Sequence, residues 1–196
     1  MKLVLASSSR YRRELLERLG LPFTTRSPDI DERPLADEAP AALVARLARL
    51  KAEVVASAVP DAIVIGSDQV AFASGAVLNK PGTADAAIAQ LTTMSGATAT
   101  FYTGLCVINA NTGAVYTAVE TVEVTLRTLT CAEIVDYVAR EQPLDSAGSF
   151  KSEGLGIALF ESVRSDDPTT LIGLPLIRLV EFLRLEGVAV LGAGGR

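Results

Sequence analysis

The run Ala62-Ile63-Val64-Ile65, followed at once by Gly66-Ser67-Asp68, constrains this chain more than any other stretch. An unbroken apolar run of this length is the pattern of a strand buried on both faces, as in α/β proteins. Gly66 and Ser67 are then expected to close the strand, leaving Asp68 where it ends. Ligands gather at strand ends in α/β proteins, and a carboxylate placed there can hold a metal ion or take a proton from water. The same three residues also fit a plain polar turn, so the rest of the chain decides between the two.

Upstream, Lys2 to Ala6 reads as a short apolar strand running through Ser7-Ser8-Ser9 into a helix with Leu15, Leu16 and Leu19 on one face, stopped by Gly20 and Pro22. A helix N-terminus offers free N–H groups and the positive end of the helix dipole, and hydroxyl and guanidinium groups beside it complete an anion site. Arg12 and Arg13 are electrostatically unfavourable in a first turn without an anion, which suits a phosphate; solvated arginines on an exposed face fit the pattern equally. Phe23 to Thr25 continues as a strand, and an acidic loop follows with Asp29, Asp31, Glu32, Asp37 and Glu38. Pro40 opens a helix to Ala58 whose buried stripe is expected to be Leu43, Leu47, Leu50 and Val54. Lys51 falls at the edge of that stripe, where it either snorkels or points into a site.

Beyond the central run, Val70 to Leu78 reads as a hairpin turning at Ser74-Gly75, and Asn79-Lys80-Pro81-Gly82 leads to a helix over 83–94. A lysine directly before Pro-Gly is held in extended or turn geometry, which can project its ammonium group towards a ligand. Two long β segments, 97–109 and 114–127, are joined by Asn111-Thr112-Gly113, and in the second Val122, Val124 and Leu126 alternate with polar residues. Thr130-Cys131-Ala132-Glu133 is a capping box for a helix to Glu141. The glycines at 148, 154 and 156 suit a loop that a ligand approaches closely, after which Ile157 to Phe160 is expected to return to strand. Asp166 to Thr169 caps a turn, and a last helix carries Leu174, Ile177, Leu179, Val180 and Leu183. Residues 1–191 are read as a single domain and 192–196 as a flexible tail.

Composition excludes several kinds of chemistry. With 196 residues, 49% hydrophobic and 21% charged, the chain has the makings of a real core. It contains no histidine, which removes Ser–His and Cys–His nucleophiles and His-based zinc sites together. Cys106 and Cys131 stand in no metal-ligand spacing and read as ordinary thiols of a reducing, cytoplasmic setting. No apolar run reaches the length of a membrane span, so no membrane partner is expected. A net charge of −5 makes a long nucleic acid an unsuitable partner. No Gly-x-x-x-x-Gly-Lys-Ser/Thr occurs, so the chain is not a P-loop enzyme.

What remains is a set of basic groups with carboxylates, which suits metal-assisted phosphate chemistry: cations neutralise polyphosphate charge while a carboxylate activates water. At this point the residues Leu5-Ala6-Ser7-Ser8-Ser9-Arg10-Tyr11-Arg12-Arg13-Glu14-Leu15-Leu16, then Asp31-Glu32, Lys51-Ala52, Gly66-Ser67-Asp68-Gln69-Val70, Lys80-Pro81 and Ala147-Gly148-Ser149-Phe150-Lys151-Ser152-Glu153-Gly154 resemble the Maf family of nucleoside triphosphate pyrophosphatases, in order and over nearly the whole chain. The resemblance implies an α/β fold like that of inosine triphosphate pyrophosphatase, with an extended mixed sheet flanked by helices and two lobes around a central cleft. It implies hydrolysis between the α and β phosphates, a divalent metal cofactor such as Mg2+ or Mn2+, and a homodimer. It makes Asp68 the proton acceptor that activates water. Ser8, Arg12, Arg13, Lys51 and Lys80 match phosphate-binding positions, and Glu32 matches a carboxylate beside the metal, which Asp68 shares.

Three positions separate the subfamilies. Pyrimidine-nucleotide members usually carry Arg, Thr and Gln where this chain has Tyr11, Gln69 and Glu153; the set here is similar to the 7-methyl-GTP pyrophosphatases. Chemistry agrees with that likeness, because N7-methylated guanine is cationic, an aromatic face such as Tyr11 can stack on it, and Glu153 can accept from N1–H and the exocyclic amine. Tyr11 stands where that subfamily is associated with Trp, and Arg10 where the family commonly has Pro. The alternatives are a dTTP/UTP or broad-specificity pyrophosphatase, and a nucleotide-binding regulator of septum formation.

Overall fold

The computed structural model describes residues 1–192; the remainder of the tail expected at 192–196 lies outside the described residues. The elements are β1 (Lys2–Leu5), α1 (Arg10–Glu17), β2 (Phe23–Thr25), α2 (Pro40–Ala58), β3 (Ala62–Ala73), β4 (Ala76–Leu78), α3 (Ala84–Met94), β5 (Thr98–Asn109), β6 (Val115–Leu126), α4 (Cys131–Glu141), β7 (Phe160–Arg164) and α5 (Leu176–Leu185), with 3-10 turns at Ala147–Ser149, Leu155–Leu159 and Thr170–Ile172. The strands form one mixed sheet in the order β2-β1-β3-β5-β6-β7, with β4 beside β3. β1 pairs in parallel with β2 and with β3, whereas β3–β4 and β6–β7 are antiparallel. This is the α/β class with a helix-flanked mixed sheet. Among the described residues no helix is long and apolar enough to cross a membrane.

The chain divides into two compact units, one made of residues 1–69, 103–120 and those from Asp167 onward, the other of Val70–Tyr102 and Thr121–Asp166. In the first unit the strand alternation is sorted cleanly between two cores. Leu3, Leu5, Ile63, Ile65, Leu105 and Val107 pack with Leu15 and Leu16 of α1 and with Leu176, Leu179, Phe182 and Leu183 of α5. Val4, Ala62, Val64, Cys106 and Ile108 face the other way, against Ala48, Ala52 and Val55 of α2. The second set is smaller, and α2 lies correspondingly close. A β-carbon added at Gly66 would stand 2.2 Å from the Ala48 carbonyl oxygen, and one at Gly104 would stand 2.1 Å from that of Val44. Neither fits without moving the helix backbone.

This close approach corrects the reading of the central run. β3 does not end at Gly66; it continues unbroken to Ala73, and Asp68 lies in its interior. Gly66 serves helix-to-sheet packing, not a turn. The stripe of α2 is also rotated from its expected position: Leu43, Val44, Leu47, Ala48, Lys51, Ala52 and Val55 are buried, Leu50 is only half-buried and Val54 is exposed. Packing against a sheet needs a face two residues wide on each turn, and that face has Lys51 inside it.

In the second unit the hairpin turns where expected, with Ser74 and Gly75 both in the left-handed region. Thr130 and Glu133 form the reciprocal capping box of α4, and Val122, Val124 and Leu126 are buried in alternation. Phe150 packs against Phe101 and Phe160, with ring centroids 5.3 and 4.7 Å apart. The strand expected from Ile157 begins only at Phe160; residues Leu155–Leu159 form a 3-10 turn instead. In α5, Leu174 precedes the helix and Ile177 is exposed, while Leu176 and Phe182 join the buried face. The start of α5 is fixed by distant caps: Asp167 Oδ2 accepts from Ile177 N at 2.7 Å and Thr169 Oγ1 from Leu176 N at 2.9 Å.

Candidate active site

Burial of Lys51 within the α2 stripe places its ammonium against the interior of β3. Lys51 Nζ lies 2.6 Å from Asp68 Oδ1 and 2.8 Å from Glu32 Oε1. The Lys51 and Asp68 side chains are 7% and 9% exposed, whereas that of Glu32 is 59% exposed, so one arm of the cluster is enclosed and the other faces solvent. An ammonium has three donors; two are committed to carboxylates and one remains. Asp68 commits one oxygen to Lys51 and keeps the other for a further donor.

Glu32 reaches Lys51 because its loop is tied to α2. Arg46 of α2 donates to both oxygens of Glu38 at 2.6 and 2.7 Å and to the Arg33 carbonyl at 3.1 Å. Glu38 also accepts from Leu35 N, and these bonds hold its carboxyl down at about 2. Asp31 is taken by Arg33.

Arg12 approaches from α1. The side chain of Ser9 caps the helix by accepting from Arg12 N at 3.4 Å. The Arg12 guanidinium donates from Nε to Gly173 O at 2.9 Å and from Nη1 to Ser7 Oγ at 3.4 Å. Burial lowers the basicity of this guanidinium, and the charges of Asp68 and then Glu32 oppose that shift. Gly173 O accepts a second bond, from Ser67 Oγ at 3.0 Å, so the residue before Asp68 and the phosphate-matching arginine share one acceptor. Gly173 has φ +118, a conformation that disfavours any side chain. The next residue of β3, Gln69, is half-buried and is bonded to Thr103 and Thr170.

The structure thus brings together Arg12, Lys51, Asp68 and Glu32, with Gln69 adjacent in β3. It does not bring Arg13 to them: that side chain is exposed and pairs with Glu17 one turn on, at 3.0 Å. Ser8 is exposed, and it is Ser7, buried, whose hydroxyl touches Arg12. Tyr11 is half-buried and carries the Arg10 guanidinium over its ring, 5.1 Å from the centroid. Lys80 and Glu153 belong to the second unit, where both are exposed. Sequence reasoning missed Ser7, Ser67, Thr103, Gly173 and Arg46. For Ser67 and Thr103 the only signal was a polar residue in an otherwise buried strand register; Ser7 was one of three consecutive serines after β1 with nothing to single it out, and for Gly173 and Arg46 there was no signal.

A family model described as a Maf-like protein matches residues 2–186. The chain belongs to the Maf family. It is 56% identical over 189 residues to a protein of Nitrosococcus oceani named 7-methyl-GTP pyrophosphatase, covering 96% of this chain and 95% of that one. Relatives of the same name in Pseudomonas putida (55% over 190 residues, covering 97% and 99%) and Vibrio vulnificus (52% over 191 residues, covering 97% and 98%) match as fully. Among solved structures, the Staphylococcus aureus Ham1 protein superposes with a TM-score of 0.54 at 14% identity, over 95% of this chain and 100% of that one, a likeness of fold alone. Within this Maf chain Arg12, Glu32, Lys51 and Asp68 all lie in the first unit.

Proposed function

We propose that this protein hydrolyses 7-methyl-GTP between the α and β phosphates, releasing 7-methyl-GMP and pyrophosphate. The observation that carries the reaction class is the enclosed Lys51–Asp68 pair, 2.6 Å apart, with Glu32 and Arg12 beside it. A buried carboxylate held by one oxygen keeps its other oxygen aimed and unencumbered, which is what a general base for water requires. Asp68 takes a proton from water as its oxygen bonds to the α phosphorus; the bond from that phosphorus to the bridging oxygen breaks, and pyrophosphate leaves. The third donor of Lys51 and the remaining guanidinium donors of Arg12 stabilise charge on the phosphate oxygens.

The donor set also fits a divalent metal. Asp68 and Glu32 stand side by side at the Lys51 ammonium, each bonded to it through one oxygen, which leaves a second carboxylate oxygen on each, and magnesium-type sites commonly use one or two carboxylates completed by substrate phosphates and water. When bound, such an ion supplies charge neutralisation on the polyphosphate.

The choice of 7-methyl-GTP is supported by the names of relatives more than half identical over nearly the full chain. It is supported too by the chemistry of Tyr11, an aromatic ring of the kind that stacks on a cationic base. Glu153 is assigned to N1–H and the exocyclic amine, and Lys80 to phosphate; for these two the support is the resemblance and not a distance. The test is product analysis with 7-methyl-GTP, GTP, UTP and dTTP in the presence of Mg2+ or Mn2+. Preferential release of pyrophosphate from 7-methyl-GTP is expected. Preference for UTP or dTTP overturns the substrate, and nucleotide binding without any hydrolysis overturns the enzyme in favour of a regulator.

A further inference from the structure

Nothing in Gly173 itself aims its carbonyl, since the residue has no side chain to anchor and a permissive backbone. Yet this oxygen accepts from Arg12 Nε at 2.9 Å and from Ser67 Oγ at 3.0 Å. Ser67 lies inside β3 and keeps its place by the strand. Arg12 is different. Its other bond, from Nη1 to Ser7 Oγ, is long at 3.4 Å, so the Gly173 oxygen is the short contact that sets the plane of the guanidinium. That fork is rigid, and fixing its Nε–H aims the N–H groups left for a phosphate.

The loop carrying Gly173 is closed at its neck by two side chains. Thr169 Oγ1 accepts from Leu176 N at 2.9 Å and shares its single proton between Asp167 Oδ1 at 2.6 Å and Leu174 O at 2.9 Å. Asp167, only 4% exposed, accepts from Thr169 N and from Ile177 N, each at 2.7 Å. Its charge stands at the start of α5, where the helix dipole favours it. Within the loop Ile172 N donates to Thr169 O and Gly173 N to Thr170 O, which shapes the outward arm. The return from Gly173 to α5 passes through Pro175, which has no N–H to bond, and it is the Thr169 hydroxyl that ties this arm to the other.

We propose that Thr169, seated on Asp167, is a positioning residue for the reaction: it acts through the Gly173 carbonyl to orient the Arg12 guanidinium toward charge that develops on the phosphates. This rests on the function proposed above. A donor aimed at developing charge acts more strongly in the transition state than on bound substrate, so its misplacement lowers kcat and leaves KM nearly alone. A hydroxyl that served only the fold would leave the aim of Arg12 unchanged.

The experiment compares wild type, Thr169→Val, which removes the hydroxyl at nearly constant volume, and Thr169→Ser, which keeps it. With 7-methyl-GTP and Mg2+, Thr169→Val should lower kcat about tenfold, part of the roughly hundredfold that losing a charge-stabilising donor costs. KM should change less than about twofold, and Thr169→Ser should stay within about twofold of wild type in both. In an Arg12→Ala background, which has no guanidinium to orient, Thr169→Val should lower single-turnover rates by less than a further factor of about two. The same tenfold loss in that background, a loss confined to KM, or no loss at all overturns the proposal. Where Thr169→Val does not fold, Thr169→Ala takes its place. A second readout is independent of turnover: exchange of the Arg12 Nε proton by NMR, its signal assigned by disappearance in Arg12→Ala. Slow exchange in wild type and Thr169→Ser with fast exchange in Thr169→Val supports the proposal; fast exchange in wild type, or slow exchange in Thr169→Val, overturns it. If wild type releases no pyrophosphate from 7-methyl-GTP, the proposed function fails and the positioning is judged by that exchange measurement alone.

Discussion

Replacing Lys51 with Met separates the electrostatic role of this side chain from its volume. The stem is retained in shape, but the ammonium that serves Asp68 and Glu32 is gone. Glu32, at 59% exposure, returns to water, and its arm of the cluster is worth no more than about 1 kcal/mol. Asp68 cannot do the same, because its side chain is 9% exposed. Removing one partner of a buried pair costs about 3–5 kcal/mol, and the residual exposure of Asp68 puts the expected loss near ~3 kcal/mol. For a chain of this length that lowers Tm by about 6–12 °C. The double variant Lys51→Met, Asp68→Asn replaces the stranded charge with a neutral amide and should recover all but about 1 kcal/mol, while Glu32→Gln alone should cost less than about 1 kcal/mol. Urea unfolding of the four proteins, read at constant m-value, measures each difference. If Lys51→Met and the double variant lose the same amount, the lysine contributes through packing alone and the pairing account is wrong.

Other perturbations test the frame that delivers these groups. Gly66→Ala places a β-carbon 2.2 Å from the Ala48 carbonyl oxygen and 2.8 Å from Ala52 N; α2 must shift, at a cost of at least about 2 kcal/mol, and kcat should fall with stability because Lys51 rides on that helix. A Gly66→Ala protein of wild-type activity and Tm would contradict the close approach. Glu38 has its folded-state value depressed from 4.5 to about 2 by Arg46 and Leu35 N, so its contribution is full above the unfolded value and is lost as pH falls through the folded one. Wild type should therefore exceed Glu38→Gln in stability at neutral pH, with the margin shrinking between about pH 4.5 and about pH 2; a margin constant across that window would show that the ion pair is not its source.

Much of the fold was legible because the relevant signals are local. The capping box at Thr130 and Glu133, the Ser74-Gly75 turn and the alternation in β6 each reside within a few consecutive residues, and each is where the sequence puts it. The errors fall where a distant element decides. Gly66 looks like the end of a strand until Ala48 and Ala52 of α2 are set against it, 17 positions being the separation of the Lys51–Asp68 pair that results. In α2, hydrophobicity alone selects Leu43, Leu47, Leu50 and Val54 and excludes a lysine; the helical repeat Leu43, Leu47, Lys51, Val55 is equally available and is the buried one. In the site, Arg12, Lys51, Asp68 and Glu32 were identifiable from type and resemblance. The choice of Ser7 over Ser8 beside Arg12 was not, since it depends on which way the chain leaves β1. Thr103 and the Gly173 carbonyl lie more than 30 and 100 positions from the residues they hold, and nothing in their own neighbourhoods announces it.

In the proposed reaction Asp68 activates water at a phosphate held by Lys51 and Arg12. The most direct measurement of that step is single-turnover pyrophosphate release from 7-methyl-GTP by Asp68→Asn, run beside an equilibrium titration of the same nucleotide. Loss of a general base lowers the rate by at least about two orders of magnitude, with the dissociation constant changed by less than about threefold because the amide retains the shape of the carboxylate and the cations remain in place. Turnover within about tenfold of wild type, or a loss explained wholly by weaker binding, would contradict the account.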